Sequence, residues 1–216
     1  MALSVEGGTV MTDLVAPGGG ARAERSHRLG RPPSTSRAEL EEVALRLFAE
    51  RGFDETSVED IAAAAGIGRR TFFRYYPSKL DLVWGDFGAG LDDMRTRLAA
   101  TPPEVPTMQA VRAGVVEFNR IPQEKVEQHR RRLGLILGVS TLVANSTLRF
   151  SQWREVIAEF VAARTGCRPD DLLPRVVGHC ALGAAVAAYE GWLQGAGTDL
   201  AAMLDEALRL LADGCT

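Results

Sequence analysis

The sequence is poor in the groupings that carry chemistry. Its three histidines, His27, His129 and His179, show no metal-ligand spacing, so no metal site is expected. Three cysteines, Cys167, Cys180 and Cys215, lie far apart and form no Cys-x-x-Cys pair. Free thiols in a reducing compartment are the expectation. No Ser/His/Asp grouping, acid pair or phosphate-cradling glycine loop is visible, which argues against an enzyme and against a bound cofactor. No apolar run approaches the roughly 20 residues that span a bilayer. Residues 1–20 contain Gly7-Gly8 and Gly18-Gly19-Gly20 but no charged start followed by an apolar stretch. They read as a disordered tail, or as sequence upstream of a start at Met11, and not as a secretion signal. A cytoplasmic protein with no membrane partner is expected. Alternating strand patterns and tandem repeats are also missing.

What is present is helical. The chain has 216 residues, 46% of them hydrophobic, enough to bury a core in one or two domains. A net charge of -3 excludes bulk binding of polyanions, so any nucleic-acid contact must come from a local basic patch. One exists. Between Ala21 and Lys79 there are 11 Lys and Arg against 9 Asp and Glu, and the remainder of the chain carries the acidic excess.

The pattern predicts an all-α fold of about nine helices. Ser36-x-x-Glu39 is a capping box opening a first helix, whose stripe is Leu40, Val43, Ala44, Leu47 and Phe48. Gly52 is expected as its left-handed C-cap. Thr56 or Ser57 caps a short second helix carrying Val58, Ile61, Ala62 and Ala65 inward. After Gly66-Ile67-Gly68 a third helix runs from Arg69 to Tyr75 and is stopped by Pro77. Ser78-x-x-Asp81 caps a fourth, expected to be continuous from Lys79 to Leu98. Further helices are expected near 107–120, 123–138, 141–165, 170–194 and 199–213. The division is a disordered basic arm at 1–33, a DNA-binding unit at 34–80 and a helical ligand-binding and dimerisation unit at 81–216.

Two short helices joined by a glycine-containing turn match a helix-turn-helix. From Gly66 to Lys79 there are four cations and no acid, interleaved with aromatics. Phe72 and Tyr76 can face the core, while Arg69, Arg70, Phe73 and Arg74 share the outer side. Arginine reads guanine O6 and N7 in the major groove, and Thr71 or Phe73 can touch a thymine methyl. Lys79, Tyr75, Thr56 and Ser57 are candidates for phosphate. Arg31, in Gly30-Arg31-Pro32-Pro33, either lies in a narrow minor groove or belongs to a solvated basic linker. A nucleoid-structuring protein without sequence preference is the competing DNA-binding class; salt slope and specificity ratio separate the two.

From Leu40 to Asp86, including LFAERGFDETSVEDIAAAAGIGRRTFFRYYPSKLDLV, the chain resembles the tetracycline-repressor (TetR) family of transcription regulators. The resemblance implies a homodimer on a near-palindromic operator, with Arg69, Arg70, Thr71, Phe73, Arg74, Tyr75 and Lys79 falling where the family touches DNA. Gly68 departs from the Ser or Thr common at that cap, which removes a phosphate contact. Further pieces, among them EFNRIP, QHRRR and STLRFSQWREVIAEFVAARTG, resemble the regulators of mycofactocin systems. That implies control, as a repressor, of genes for a peptide-derived redox cofactor. The alternative within the family is a repressor of efflux or lipid-metabolism genes answering to a hydrophobic ligand or acyl-CoA.

The C-terminal half carries a candidate effector site. His129, Arg132, Leu133, Ile136 and Leu137 share one helical face, and Phe87, Leu91, Phe118, Phe150, Trp153 and Ile157 are apolar candidates for a pocket wall. Arg130, Arg131 and Arg132 either form a basic mouth for a lipid-like acid or acyl-CoA, or simply solvate the surface. The last two helices are expected to form the dimer. One carries Gly178, Leu182, Gly183, Val186, Ala187, Tyr189, Glu190 and Leu193; the other carries Leu200, Leu204, Ala207, Leu208 and Leu211. Ligand is expected to move the continuous fourth helix and so change the spacing of the recognition helices.

Overall fold

The structure, a computed structural model, describes residues 35–195 and 199–214. Arg31, His27 and Cys215 lie outside them. Among the described residues there are ten α-helices and no strand. Helix α1 (Arg37–Arg51) opens on the expected capping box: the Ser36 hydroxyl accepts from the Glu39 N–H at 3.1 Å, and Glu39 Oε2 accepts from the Ser36 N–H at 2.7 Å. Gly52 ends it at φ 90°, ψ 153°, positive in φ but extended in ψ, so it is not the left-handed cap expected. That geometry turns the chain back at once, and Phe53 is buried with its ring 5.0 Å from that of Phe48. Helices α2 (Val58–Ala64) and α3 (Arg69–Tyr75) follow at the expected positions. Leu40, Ala44, Phe48, Ile61 and Phe72 close a first core with α4 (Lys79–Trp84), which supplies Leu82, Val83 and Trp84.

The fourth helix is not continuous. It stops at Gly85 (φ 58°, ψ -136°), and α5 (Phe87–Ala99) begins two residues later. Few side-chain-bearing residues adopt that conformation. A Cβ on Gly85 would also stand 3.0 Å from Arg132 Nη1 and 3.3 Å from Glu41 Oε1. The break adds one helix to the nine expected.

Helices α6 (Thr107–Phe118), α7 (Val126–Gly138), α8 (Ser140–Thr165), α9 (Leu172–Gln194) and α10 (Leu200–Ala212) complete the chain. They enclose a second core with α5, centred on Leu98, Val111, Val115, Ile157, Ala185, Trp192 and Leu204. Helix α9 lies against α8 at close range: a Cβ on Gly178 would meet the Arg154 carbonyl oxygen at 2.9 Å. By length and composition α9 could cross a membrane, contrary to the expectation that no apolar run comes near that length. Here it is a core helix packed on α8 and α10.

The stripe assigned to a dimer on α10 is used within the chain, and the one on α9 only in part. Leu200, Leu204, Leu208 and Tyr189 are buried in the second core, and Leu182, Leu193, Ala207 and Leu211 pack partly against it. Left outward are Leu172, Leu173, Val176, Gly183 and Ala187 of α9 and Leu210 of α10.

Candidate functional site

Helix α3 is short and held by its inner face. Phe72 is fully buried, and Tyr76, its C-cap, is nearly so; their rings are 6.4 Å apart. Anchoring one side fixes what the other presents. Arg69, Arg70, Phe73 and Arg74 are exposed and Thr71 is half-buried. Phe73 stands edge-on to Phe72 at 5.5 Å and is 41% exposed, a large apolar ring held in water by its position. Arg69 pairs with Glu59 at 2.9 Å and lies over the Phe73 ring, and Arg74 lies over Tyr75. Gly68 caps α3 without a side-chain hydrogen bond.

Three of the proposed phosphate contacts, Thr56, Tyr75 and Lys79, have their polar groups committed to backbone carbonyls, and the fourth, Ser57, is an exposed helix cap. Thr56 is fully buried, and its hydroxyl donates to the Gly52 carbonyl at 2.7 Å. Thr56 therefore neither caps α2 nor reaches a phosphate. Ser57 is the cap: its hydroxyl accepts from the Asp60 N–H at 3.1 Å and donates to the Asp60 carboxylate. The Tyr75 hydroxyl donates to the Thr35 carbonyl at 2.5 Å. Lys79 donates to three carbonyl oxygens, those of Phe53 (2.8 Å), Thr56 (3.0 Å) and Asp54 (3.3 Å). An ammonium has three donors, so Lys79 is spent on the loop between α1 and α2. The exposed reading surface is thus Arg69, Arg70, Phe73 and Arg74, with Thr71 beside them.

The second site is a cavity of about 300 Å³ between the two cores. Phe87, Phe118, His129, Arg132, Leu133, Ile136, Leu137, Phe150 and Trp153 all line it. Leu91 and Ile157 do not; both are packed in the second core. Sequence reading missed Trp84, Asp86, Gly90, Asn119, Leu182 and Tyr189. A signal for two of them existed: Leu182 and Tyr189 are seven apart, on one face of α9. Rings of Phe118, Phe87, Trp84 and Phe150 meet edge-to-face in series at 5.1–5.9 Å, forming one wall. Opposite, the Tyr189 hydroxyl donates to Asn119 Oδ1 at 2.7 Å, and Asn119 Nδ2 donates to the Val115 carbonyl. Burial pushes the Tyr189 hydroxyl well above its ordinary range.

The basic mouth is a single arginine. Arg130 lies 4.1 Å over the Trp192 ring and donates to the Trp192 carbonyl, and Arg131 is exposed away from the cavity. Arg132 lines the cavity and is paired with Glu41 of α1. Three buried nitrogens around the cavity have no hydrogen-bond partner: Trp84 Nε1, His129 Nε2 and Arg132 Nε. Burial, then the neighbouring Arg132 charge, lowers the His129 pKa to about 4. His129 is therefore neutral near pH 7. In the unfolded chain it takes a proton below about pH 6.5, while the folded chain refuses one until about pH 4. Stability from this group is full above pH 6.5 and is lost as pH falls. Between pH 6.5 and 5 the parent should lose about 2 kcal/mol more than His129→Gln, read by urea unfolding at each pH. Equal losses would show that His129 is solvated.

Comparison with known proteins matches both halves of the chain to one family. Residues 41–83 match the bacterial regulatory proteins of the tetR family, and residues 105–216 match the MftR C-terminal domain. The chain is 40% identical over 187 residues to a Mycobacterium tuberculosis protein named as the mycofactocin biosynthesis transcriptional regulator MftR, covering 87% of this chain and 94% of the other. Among solved structures, the fatty acid degradation regulator FadR of Bacillus halodurans superposes with a TM-score of 0.61 at 17% identity, over 83% of this chain and 99% of that one. FadR of Bacillus subtilis, in complex with stearoyl-CoA, does so with a TM-score of 0.59 at 16% identity, over 83% and 99%. These two likenesses speak to the fold.

Proposed function

The chain belongs to the TetR family of bacterial transcription regulators and carries the C-terminal domain of its MftR branch, and from that membership we propose that it is a cytoplasmic, ligand-released repressor of a mycofactocin-type gene cluster. The family is one of regulators, not of enzymes. The observation that carries the reading is α3, acid-free and anchored by Phe72 and Tyr76 so that Arg70, Phe73 and Arg74 face outward. Two copies would set two such helices in successive major grooves of a near-palindromic operator, about 34–36 Å apart. The outward apolar residues of α9 and α10 supply the dimer face; Leu172 is 78% exposed and Val176 47%. Val176→Glu with Leu172→Glu should turn a dimer into a monomer in sedimentation velocity. A dimer that persists would place the interface on another face.

The effector is a lipid-like acyl compound, acyl-CoA included. Support comes from an aromatic and aliphatic cavity whose one cation is Arg132. Coupling between the sites should be about 1–3 kcal/mol, or 5- to 150-fold in operator affinity. The test is fluorescence anisotropy on the DNA upstream of its own gene, titrated with an acyl-CoA series. Selective binding released by one chain length supports the whole reading. Selective binding that no acyl-CoA weakens keeps the regulator and discards this ligand class.

A further inference from the structure

The cavity and the end of α3 are joined by a short chain of polar contacts. Arg132, on the cavity wall, pairs through Nη2 with Glu41 Oε2 of α1. The other carboxylate oxygen, Glu41 Oε1, accepts from the Tyr76 hydroxyl at 2.5 Å. Tyr76 is the C-cap of α3, its N–H bonded to the Phe72 carbonyl at 3.0 Å. The links are well shielded: the side chains of Arg132 and Glu41 are 19% and 14% exposed. A weaker parallel link runs from Asp86, also on the wall, to Arg37 of α1 at 2.6 Å, and from Arg37 to the Tyr75 carbonyl at 3.1 Å. Arg37 and Glu41 are one turn apart on α1, so both links pass through one helix face. The first link passes Gly85, where α4 breaks off and leaves room for the Arg132 guanidinium.

The cavity end of this chain is incomplete. Arg132 Nε and Trp84 Nε1 are buried donors without partners, and neutral His129 leaves Nε2 unpaired beside them. Buried polar nitrogens left unpaired are costly and uncommon. All three residues line the same cavity. What Arg132 Nε and Trp84 Nε1 lack is an oxygen acceptor, and an apolar body would fill the rest of the space.

We infer that the effector is held by a carbonyl or carboxylate oxygen at Arg132 and Trp84, and that it competes with Glu41 for Arg132, releasing the Glu41–Tyr76 clamp on the end of α3. The inference rests on the cavity being the effector site. Its consequence is a pair of opposed effects at one residue. Glu41 is the internal competitor for the arginine, so removing its charge must weaken DNA binding and strengthen ligand binding together. A switch with one state favoured by DNA and the other by ligand shifts the two affinities in opposite directions. A residue that only props up the fold would weaken both.

The experiment compares the full-length parent with Glu41→Gln, Arg132→Gln and the double variant. Operator affinity is read without ligand, and binding of decanoate, decanoyl-CoA and decanol is read by tryptophan fluorescence. Glu41→Gln should bind the operator about ten-fold more weakly and an oxygen-headed probe several-fold more tightly. Arg132→Gln should weaken operator binding to a similar extent and bind decanoate no better than decanol. The double variant should be no weaker on the operator than either single one. Decanoate against decanoyl-CoA distinguishes a free acid from a thioester carbonyl. If no probe binds the parent, the acyl ligand class falls, and the relay then rests on non-additive losses of operator affinity in the double variant. Unchanged operator affinity in Glu41→Gln, or additive losses in the double variant, overturns it. Should Glu41→Gln fold poorly, Tyr76→Phe removes only the hydroxyl link and must shift operator affinity in the same direction.

Discussion

Arg70→Ala combined with Arg74→Ala is expected to lose about a hundred-fold or more in operator affinity while melting within about 2 °C of the parent. Both guanidinium groups lie on the outer side of α3, and neither residue carries the core contacts that hold the helix. Each bidentate arginine–guanine contact is worth about 1–3 kcal/mol of discrimination. Two lost together exceed what two exposed charges contribute to folding, which is usually within about 0.5 kcal/mol. The size of the loss on a scrambled duplex separates two roles. Base readout predicts a large loss on the operator and a small one on scrambled DNA. Phosphate contact predicts similar losses on both, with a salt slope shallower by about 1 for each arginine. Anisotropy at three salt concentrations measures all of this.

Lys79→Ala is expected to act on stability instead, lowering it by about 2–4 kcal/mol. A cation in the first turn of a helix faces the positive end of the helix dipole and is normally disfavoured there. Lys79 tolerates the position because its ammonium is held by the carbonyls of Phe53, Asp54 and Thr56 and stands 4.4 Å over the Phe53 ring. Removing it leaves those acceptors without their donor and frees the loop that joins α1 to α2. Chemical unfolding followed by circular dichroism should show the loss. The salt slope of operator binding in the folded fraction should not change. Full stability with a shallower slope would show that Lys79 meets phosphate after all.

Local signals in the sequence were strong where local chemistry decides the structure. The Ser36–Glu39 capping box, the Ser57 cap and the Arg69–Tyr75 limits of α3 each depend on residues within one turn. The break at Gly85 was not legible, because Leu80, Trp84, Phe87 and Leu91 keep a helical period across it. What stands against it is a charged pair from α1 and α7, remote in sequence. The same blindness explains Lys79, Thr56 and Tyr75. Residue type marked them as polar and near the DNA-reading helix, but their partners are backbone carbonyls that only the folded chain brings close. The α10 stripe shows a third limit. Leu200, Leu204 and Leu208 announced a buried face without saying whether the same chain or a second copy covers it. The cavity fared better, since His129, Arg132, Leu133, Ile136 and Leu137 lie on one helix and had to point one way.

The most direct test of a sequence-reading regulator is one ratio of affinities. A duplex from upstream of the protein's own gene is compared with a scrambled duplex of equal length and composition, at fixed salt near 0.15 M. The account predicts a ratio of about 10³ or more in favour of the upstream duplex. A ratio near one, with both affinities collapsing equally as salt rises, would contradict it and leave α3 as a basic surface that holds DNA without reading it.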